Sequence, residues 1–273
     1  MPELPEVETI CRGVKILVGK KIHKIFRSEK KLRIASTLDL SLLTNKAINK
    51  VSRRARYLIF DFSDGYSLIL HLGMTGSIVF RSSLTNLIIA KHDHFACQFS
   101  DKTHLIFNDP RRFGFVDLIR TKDLAEYKML AKLGPEPLLD DFNQEYLAQK
   151  LRDKKTNIKT TMMDNEIVVG VGNIYISESL FEAKISPLRN SYSLTKSEIF
   201  KLTKAIKNVL QKAIELGGSS ISDYVNSEGK KGDFQNSFKV YGNNGKKCLH
   251  CNYIVTKIIQ NGRSSFYCAN CQK

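Results

Sequence analysis

The first residues of the chain combine a secondary amine with a neighbouring carboxyl group. The sequence opens Met1-Pro2-Glu3. Removal of Met1 gives Pro2 a free amine with a pKa near ~8, so part of it is neutral and nucleophilic at physiological pH. Attack by such an amine on C1′ of a sugar displaces the base and forms an iminium, and Glu3 supplies the proton that ring opening needs. The alternative is that Pro2 only assists methionine removal and that the acids only favour a helix start.

Four cysteines near the other end of the chain have the spacing of a metal site. Two Cys-x-x-Cys pairs, Cys248 with Cys251 and Cys268 with Cys271, are separated by sixteen intervening residues. This pattern predicts a zinc ribbon with tetrahedral coordination by four thiolates, which leaves no open position for chemistry and makes the zinc structural. The remaining cysteines, Cys11 and Cys97, lie in apolar patterns and are expected to be inert core residues.

The segment between the two cysteine pairs predicts a hairpin that carries an arginine. Gln260 to Phe266 contains Asn261-Gly262 followed by Arg263. A guanidinium on a hairpin fixed by zinc suits contact with phosphate. The alternative is a surface arginine without a functional contact.

The composition indicates a polyanionic partner. The 273 residues include 43 Lys and Arg against 27 Asp and Glu, a net charge of +16, and 42% are hydrophobic. Basic side chains replace the counterions condensed on nucleic acid phosphates, although a ribosome-bound or merely soluble basic protein has the same balance. The first 30 residues lack a secretory pattern and no apolar run approaches the ~20 residues of a membrane span, so we expect a cytoplasmic protein with reduced cysteines.

The elements that must hold these residues follow from hydrophobic periodicity. Apolar residues at helical spacing predict a helix over residues 5–18, which would anchor the N-terminus. From about residue 20 to residue 120, apolar residues tend to alternate with polar ones, which is the pattern of β-strands. Hairpins are predicted about Ser63-Asp64-Gly65 and about Asp101-Lys102, as in a β-sandwich or barrel-like domain.

The second half of the chain is predicted to be mainly helical. A stiff linker at 133–137 precedes it. The capping box from Thr195 to Glu198 opens a long amphipathic helix, and Asn173 is predicted to cap an earlier helix over 174–183. A glycine turn between helices resembles a DNA-binding arrangement, although a purely structural turn is an equal interpretation. Residues 217–238 lack periodicity, which is typical of a functional loop or of disorder.

Taken together, these features resemble the formamidopyrimidine-DNA glycosylase family from end to end of the chain. The resemblance rests on several motifs as well as on the zinc ribbon. They are Pro2 to Thr9, His71 to Ser77, Lys91 to His94, Asp109 to Gly114, Leu133 to Leu138, Met163 to Asn165 and Val168 to Ser179.

The resemblance implies a multidomain α+β fold. An N-terminal β-sandwich with flanking helices would occupy 1–132 and a linker 133–145. A helix–two-turn–helix DNA-binding domain with a lesion-sensing loop would occupy 146–240, and the zinc-ribbon finger, with one structural zinc ion, 241–273. The implied protein is a monomer that acts on duplex DNA containing oxidised bases or abasic sites.

The resemblance also implies an activity and the residues that carry it. The enzyme would remove 8-oxoguanine and formamidopyrimidines, with Pro2 attacking C1′ and Glu3 acting as general acid, and would then cleave the abasic strand by β,δ-elimination. The other implied positions fall into three groups. Lesion-site support falls to Glu6, Ser219 and Ser220, filling of the DNA void to Met74, Arg111 and Phe113, and phosphate binding to His71, Lys159, Asn173, Tyr241 and Arg263.

One position departs from the family pattern. The family usually has a lysine in the segment that reads Arg53-Arg54-Ala55-Arg56-Tyr57 here. Arg56 keeps the charge for a catalytic-site contact with DNA, but its planar fork does not lose its proton. A changed rate or lesion preference is therefore expected.

Two other functions remain open on the sequence. The endonuclease VIII branch prefers oxidised pyrimidines, and the opening motif together with the Met74, Arg111 and Phe113 set favours the purine branch. A non-catalytic zinc-ribbon protein that binds DNA or RNA would need the cysteines and the basic surface, but not a free Pro2.

Overall fold

Two hairpins predicted from turn residues lie at the centre of the N-terminal part of the chain. The computed structural model describes residues 2–81, 87–219 and 231–273. In it, Asp64 and Gly65 both have positive φ in the three-residue connection between adjacent strands, and Asp-Gly favours such a tight turn. Lys102 has positive φ in the second hairpin. Both predicted hairpins are confirmed.

Eight strands of this part form two antiparallel sheets. One has the order β1-β6-β7-β5 and the other the order β2-β3-β4-β8. Apolar residues from both sheets pack into one core, so the predicted β-sandwich is confirmed. The strands are β1 (Ile22–Arg27), β2 (Ile48–Arg54), β3 (Tyr57–Phe62), β4 (Tyr66–His71), β5 (Ser77–Arg81), β6 (Asp93–Phe99), β7 (His104–Asn108) and β8 (Phe115–Arg120).

The predicted N-terminal helix is confirmed, with an earlier end. Helix α1 spans Leu4–Gly13, and residues 14–17 continue as a single 3-10 turn. Pro5 lies in the first turn, where its missing N–H costs no intrahelical bond. Val7, Ile10 and Cys11 belong to the sandwich core, which anchors the start of the chain.

The chain divides into two compact units. The first comprises Met1–Ala131 with Gly217–Asp233, and the second Lys132–Leu216 with Phe234–Lys273. The segment after the long helix thus groups with the first unit. Among the residues that the structure describes, no helix has the length and apolar character that crossing a membrane requires.

Four helices pack around a second core in the second unit. They are α2 (Gln144–Leu151), α3 (Ile158–Met162), α4 (Asn173–Glu182) and α5 (Lys196–Glu215). Thr195 and Glu198 form the predicted capping box of α5: the Glu198 carboxylate accepts the Thr195 N–H at 2.7 Å, and the Thr195 hydroxyl accepts the Glu198 N–H at 3.3 Å.

A two-stranded hairpin completes this unit. Strands β9 (Thr256–Gln260) and β10 (Arg263–Tyr267) pair with Arg263 opposite Gln260. Asn261 and Gly262 connect them with positive φ at both positions, as predicted for a tight turn. Cys248 and Cys268 are buried beside Phe181 and Val240 in a small cluster of their own.

Candidate active site and nucleic-acid interface

The start of α1 holds the proposed amine and acid in a fixed position. Pro2 is buried directly before the helix. Glu3 precedes the first helical residue with an extended backbone, φ −99° and ψ −168°. Its N–H donates to Oε2 of Glu6 at 2.7 Å, which satisfies one of the amide groups that a helix start leaves unpaired. The backbone that carries both residues is therefore well supported.

Glu6 also binds the segment that follows α5. Its Oε1 accepts the backbone N–H of Ser219 at 2.7 Å and the Ser219 hydroxyl at 3.1 Å. Gly218 has φ +82°, and a Cβ there would lie 2.9 Å from Oε1 of Glu6. The structure thus brings the two predicted support residues Glu6 and Ser219 together, while Ser220 lies outside the described residues.

An ion-pair network joins α1 to the turn that carries Arg56. Glu8 accepts from Nε of Arg53 and from Nε of Arg12, each at 2.8 Å. Burial alone would raise the pKa of Glu8, but the bonds from Arg53 and Arg12 hold it below its ordinary value. Arg53 also donates to the carbonyl of Ala55 at 3.0 Å. Arg56, the position of the family's lysine, is half-buried beside this residue.

His71 is held as a neutral imidazole. Burial first, and then the positive charges of Arg56 and Arg33, lower its pKa to about 4. Its Nδ1 accepts the N–H of Gly73 at 3.1 Å, so the ring proton is assigned to Nε2. The ring stacks on Phe115 with centroids 5.7 Å apart. A neutral donor at the end of β4 suits a hydrogen bond to phosphate.

The three predicted void-filling residues lie on two loops that touch. Met74 follows β4, whereas Arg111 and Phe113 lie between β7 and β8. Met74 is 45% exposed and Phe113 44%, and the Arg111 guanidinium lies 4.8 Å from the centre of the Phe113 ring. A Cβ on Gly73 would lie 2.4 Å from the amide nitrogen of Gly114. The structure brings the Arg111 guanidinium and the Phe113 ring into contact and places the exposed Met74 on the adjoining loop.

In the second unit, two predicted DNA-binding side chains meet at one carbonyl. The Lys159 ammonium and the Asn173 amide donate to the carbonyl oxygen of Ser264 at 2.9 and 3.0 Å. Lys159 is 1% exposed and also donates to Oγ of Ser265 at 2.7 Å. Arg263, the residue before this carbonyl, is exposed. Both side chains therefore support the strand at the point where Arg263 begins it.

The prediction that Asn173 caps α4 is wrong by one residue. Gly172 takes the capping position with an extended backbone, and Asn173 is the first helical residue. The Asn173 side chain donates across to Ser264 instead of accepting from its own helix. A contact so distant in sequence leaves no local signal.

Glu178 is a functional candidate that the sequence analysis missed. It is 3% exposed and accepts the backbone N–H groups of Lys239, Val240 and Tyr241 at 2.9, 3.0 and 2.8 Å. Burial raises the pKa of this carboxyl, while the three N–H donors oppose the rise. It fixes the backbone of the predicted phosphate ligand Tyr241. The only local signal was an acid within the apolar sequence of α4.

The four cysteines converge as a tetrahedral zinc site requires. Their sulfur atoms all lie within 4.8 Å of one another. Sγ of Cys248 lies 3.9 Å from Sγ of Cys271, and Sγ of Cys251 lies 3.5 Å from Sγ of Cys268. Zn–S bonds of ~2.3 Å in a tetrahedron place the sulfur atoms ~3.8 Å apart, so the donor set and its size fit one structural zinc ion.

Three family models match the chain. The formamidopyrimidine-DNA glycosylase N-terminal domain matches residues 1–116, and the formamidopyrimidine-DNA glycosylase H2TH domain matches residues 133–225. The zinc finger found in FPG and IleRS matches residues 245–273. Together the three matches account for most of the chain.

Relatives and solved structures agree with these matches. A formamidopyrimidine-DNA glycosylase of Wolbachia pipientis is 46% identical over 274 residues and covers both chains completely. A mutant Lactococcus lactis FPG in complex with a Fapy-dG containing DNA has a TM-score of 0.90 at 38% identity and full coverage of both chains. Lactococcus lactis Fpg in complex with an abasic site containing DNA has a TM-score of 0.89 at 38% identity, over 99% of each chain.

Proposed function

The chain belongs to the formamidopyrimidine-DNA glycosylase family and is a base-excision DNA glycosylase for oxidised purines, and we propose that Pro2 is its nucleophile. The observation that carries the proposal is the buried Pro2-Glu3 pair at the start of α1, in a chain that matches the family throughout. Like its family, the enzyme is both a glycosylase and an abasic-site lyase.

We propose the following chemistry for the pair. In a chain without Met1, the Pro2 nitrogen attacks C1′, the bond from C1′ to the base breaks, and the departing base takes up the proton that the Pro2 nitrogen loses. Glu3 protonates the ring oxygen as the sugar opens, which leaves an iminium between Pro2 and C1′. Loss of the 3′ and then the 5′ phosphate by β- and δ-elimination follows, and hydrolysis of the iminium frees the enzyme. Burial around Pro2 keeps its amine in one orientation.

Glu6 and Ser219 are proposed to support the lesion site, with Ser220 as their neighbour in sequence. The Glu6 carboxylate has both oxygens in use, one on Glu3 and one on Ser219. It therefore positions two segments and is not the proton donor. Arg56 supplies a permanent positive charge near His71, where the family's lysine would supply one that can titrate.

A base in a duplex is out of reach, so the damaged nucleotide must leave the stack, at a cost of a few kcal/mol. We propose that Met74 and Phe113 fill the resulting space and that Arg111 faces the orphaned cytosine. The exposure of Met74 and Phe113, and the contact of the Arg111 guanidinium with the Phe113 ring, support this assignment. Apolar wedges and arginine forks perform these tasks in DNA complexes generally.

Phosphate binding is proposed for His71, Asn173, Tyr241 and Arg263. Lys159 is buried against Ser264 and Ser265, so we assign it the support of the Arg263 backbone in place of the direct phosphate contact predicted from the sequence. One structural zinc ion, held by the four cysteines, stabilises the same hairpin. Its four thiolates leave no position for a substrate.

The proposed partner is duplex DNA with an oxidised base or an abasic site, and the proposed active species is a monomer, since one chain supplies every assigned residue. We retain the domain limits 1–132, 133–145, 146–240 and 241–273 as a proposal. A cytoplasmic location is consistent with thiolates kept reduced for zinc.

Lesion preference separates the two enzyme branches. We expect faster excision of 8-oxoguanine opposite cytosine than of thymine glycol in the same duplex, measured as single-turnover release of the base. Faster action on thymine glycol would move the chain to the endonuclease VIII branch. Binding of both duplexes without cleavage, by protein whose Met1 is removed, would leave only a zinc-ribbon binding protein.

A further inference from the structure

A single buried carboxylate joins the two loops that carry the exposed wedge residues. Asp109 is 0% exposed. Its Oδ1 accepts the hydroxyl of Thr75 at 2.7 Å, and its Oδ2 accepts the backbone N–H of Gly114 at 2.8 Å. Thr75 directly follows Met74, and Gly114 directly follows Phe113. Each wedge residue is therefore one peptide bond away from a group bound by Asp109.

The main chain of Asp109 is fixed as firmly as its side chain. Its N–H donates to the carbonyl of His92 at 2.9 Å, and its carbonyl accepts Nε2–H of His94 at 3.0 Å. Nδ1 of His94 then accepts the hydroxyl of Ser28 at 2.9 Å. Asp109 therefore cannot move without breaking bonds to the β6 side of the sheet as well as to both loops.

Both loops are held at their ends by strand pairing, His71 with Phe115 and Ser77 with Asn108. They are irregular, and they meet where Gly73 and Gly114 bring their backbones together. A Cβ on Gly114 would lie 2.5 Å from the carbonyl oxygen of His71. The buried Phe107 ring packs at the same place, 2.7 Å from that Cβ position, so no larger residue fits there. Within this framework the Asp109 carboxylate adds one hydrogen bond from each loop.

We propose that Asp109 is the positioning residue of the void-filling apparatus: its carboxylate holds Met74 and Phe113 in the arrangement that replaces the extruded nucleotide. The proposal rests on the void-filling role proposed above. Both carboxylate oxygens are engaged inside the protein, so Asp109 acts through the loops and not on the substrate. A wedge held in place before DNA arrives has no ordering cost during extrusion.

The test replaces Asp109 by its isostere. Asp109→Asn keeps the shape but removes the charge and replaces one acceptor oxygen by an amide donor, so the bond accepted from Thr75 or the one accepted from Gly114 is lost. We expect single-turnover excision of 8-oxoguanine opposite cytosine to fall about tenfold. The fluorescence rise of a 2-aminopurine next to the lesion, which reports unstacking, should fall in parallel. Cleavage at a preformed abasic site, which has no base to unstack, should change by less than about twofold.

Asp117→Asn is the matched control. Asp117 is a buried carboxylate on β8, bound by Thr37 and by the Tyr127 hydroxyl at 2.7 Å, with no bond to either wedge loop among the described contacts. It should lower stability without separating the two activities. Thr75→Val removes only the bond to Oδ1 and should reproduce part of the Asp109→Asn defect, whereas Thr75→Ser retains it and should preserve excision. This pair also serves if Asp109→Asn does not fold.

Equal loss of excision and abasic-site cleavage in Asp109→Asn would overturn the proposal, and so would a selective loss of excision in Asp117→Asn. Met74→Ala in the same assays distinguishes this failure from that of the proposed function. If Met74→Ala impairs excision and unstacking while Asp109→Asn and Thr75→Val do not, only the inference about Asp109 is lost. If Met74→Ala changes neither, the void-filling role is lost, and the positioning role with it.

Discussion

Glu6 accepts the backbone N–H of Ser219 at 2.7 Å across 213 residues of sequence. The same carboxylate accepts the N–H of Glu3 at 2.7 Å through its other oxygen. Glu6 is 2% exposed. Its hydrogen bonds are therefore shielded from water, and the low dielectric of the interior strengthens them. The start of α1 and the segment after α5 are thus held by one side chain.

Replacing Glu6 by Gln should reveal this double role. Gln has one acceptor oxygen where Glu6 uses two. The NH₂ group of the Gln side chain must therefore face the backbone N–H of either Glu3 or Ser219, and two donors cannot form a hydrogen bond. We expect excision of 8-oxoguanine to fall by at least about tenfold, because an unsatisfied buried donor costs ~1–3 kcal/mol. Single-turnover kinetics on the lesion duplex measure the effect.

Ser219→Ala is the control for that experiment. It removes the longer bond, 3.1 Å from the hydroxyl to Oε1 of Glu6, and retains the backbone bond. A loss below about threefold is expected. A loss in Ser219→Ala as large as that in Glu6→Gln would show that the hydroxyl, and not the bridge between backbones, is the important group.

His71 should make folding sensitive to acid. Its pKa is lowered from 6.5 to about 4 in the folded chain, so between these values the unfolded chain binds the proton and the folded chain does not. The stabilising contribution is complete above pH 6.5 and is lost as the pH falls toward 4, by about 1–3 kcal/mol. Denaturant unfolding of wild type and His71→Gln across this range measures it.

The wild type should lose more free energy of unfolding than His71→Gln as the pH falls. His23 is exposed on β1, and His23→Gln controls for the loss of a histidine as such. Parallel curves for wild type and His71→Gln would contradict a neutral buried His71.

Arg263 should contribute one phosphate contact. We expect Arg263→Ala to weaken binding to all duplexes alike and to reduce the slope of log K against log salt by about one. Lys257→Ala is the matched control, because Lys257 is exposed on the paired strand β9 without a predicted contact. Equal slopes for Arg263→Ala and wild type would contradict the phosphate contact proposed for Arg263.

Replacing single cysteines should distinguish the zinc ligands from the cysteines of the core. Cys268→Ala should abolish stoichiometric zinc and lower DNA affinity by at least about tenfold, because the hairpin with Arg263 depends on the metal. Cys97→Ala should keep zinc. Burial raises the pKa of Cys97 to about 12, so it remains a thiol. A chromophoric chelator measures the zinc content of both variants, and DNA titration measures their affinity. One zinc ion per chain in Cys268→Ala would contradict the four-thiolate site.

Local patterns predicted much of the fold correctly. The capping box at Thr195, the turns at Asp64-Gly65 and Asn261-Gly262, and the cysteine spacing each depend on residues close together in sequence. The end of α1 at Gly13 was predicted too late, because residues 14–17 keep the apolar spacing while the backbone tightens into a 3-10 turn.

The supporting side chains could not be predicted in this way. Asp109 belongs to a recognised motif, but its bond to Thr75 spans 34 residues. The family resemblance implies a phosphate contact for Lys159, whereas its ammonium is buried against a strand 105 residues later. Residue type predicts which bonds a side chain can form. Tertiary contacts decide whether its partner is DNA or another part of the protein.

The most direct test of the account is borohydride trapping on a duplex with 8-oxoguanine opposite cytosine. Protein without Met1 should form a covalent adduct that peptide mapping places on the Pro2 nitrogen. Pro2→Gly should reduce the adduct sharply while DNA binding stays nearly intact, and a chain that retains Met1 should bind without trapping. An adduct on any other residue, or undiminished trapping and cleavage in the chain that retains Met1, would contradict the assignment of Pro2 as nucleophile.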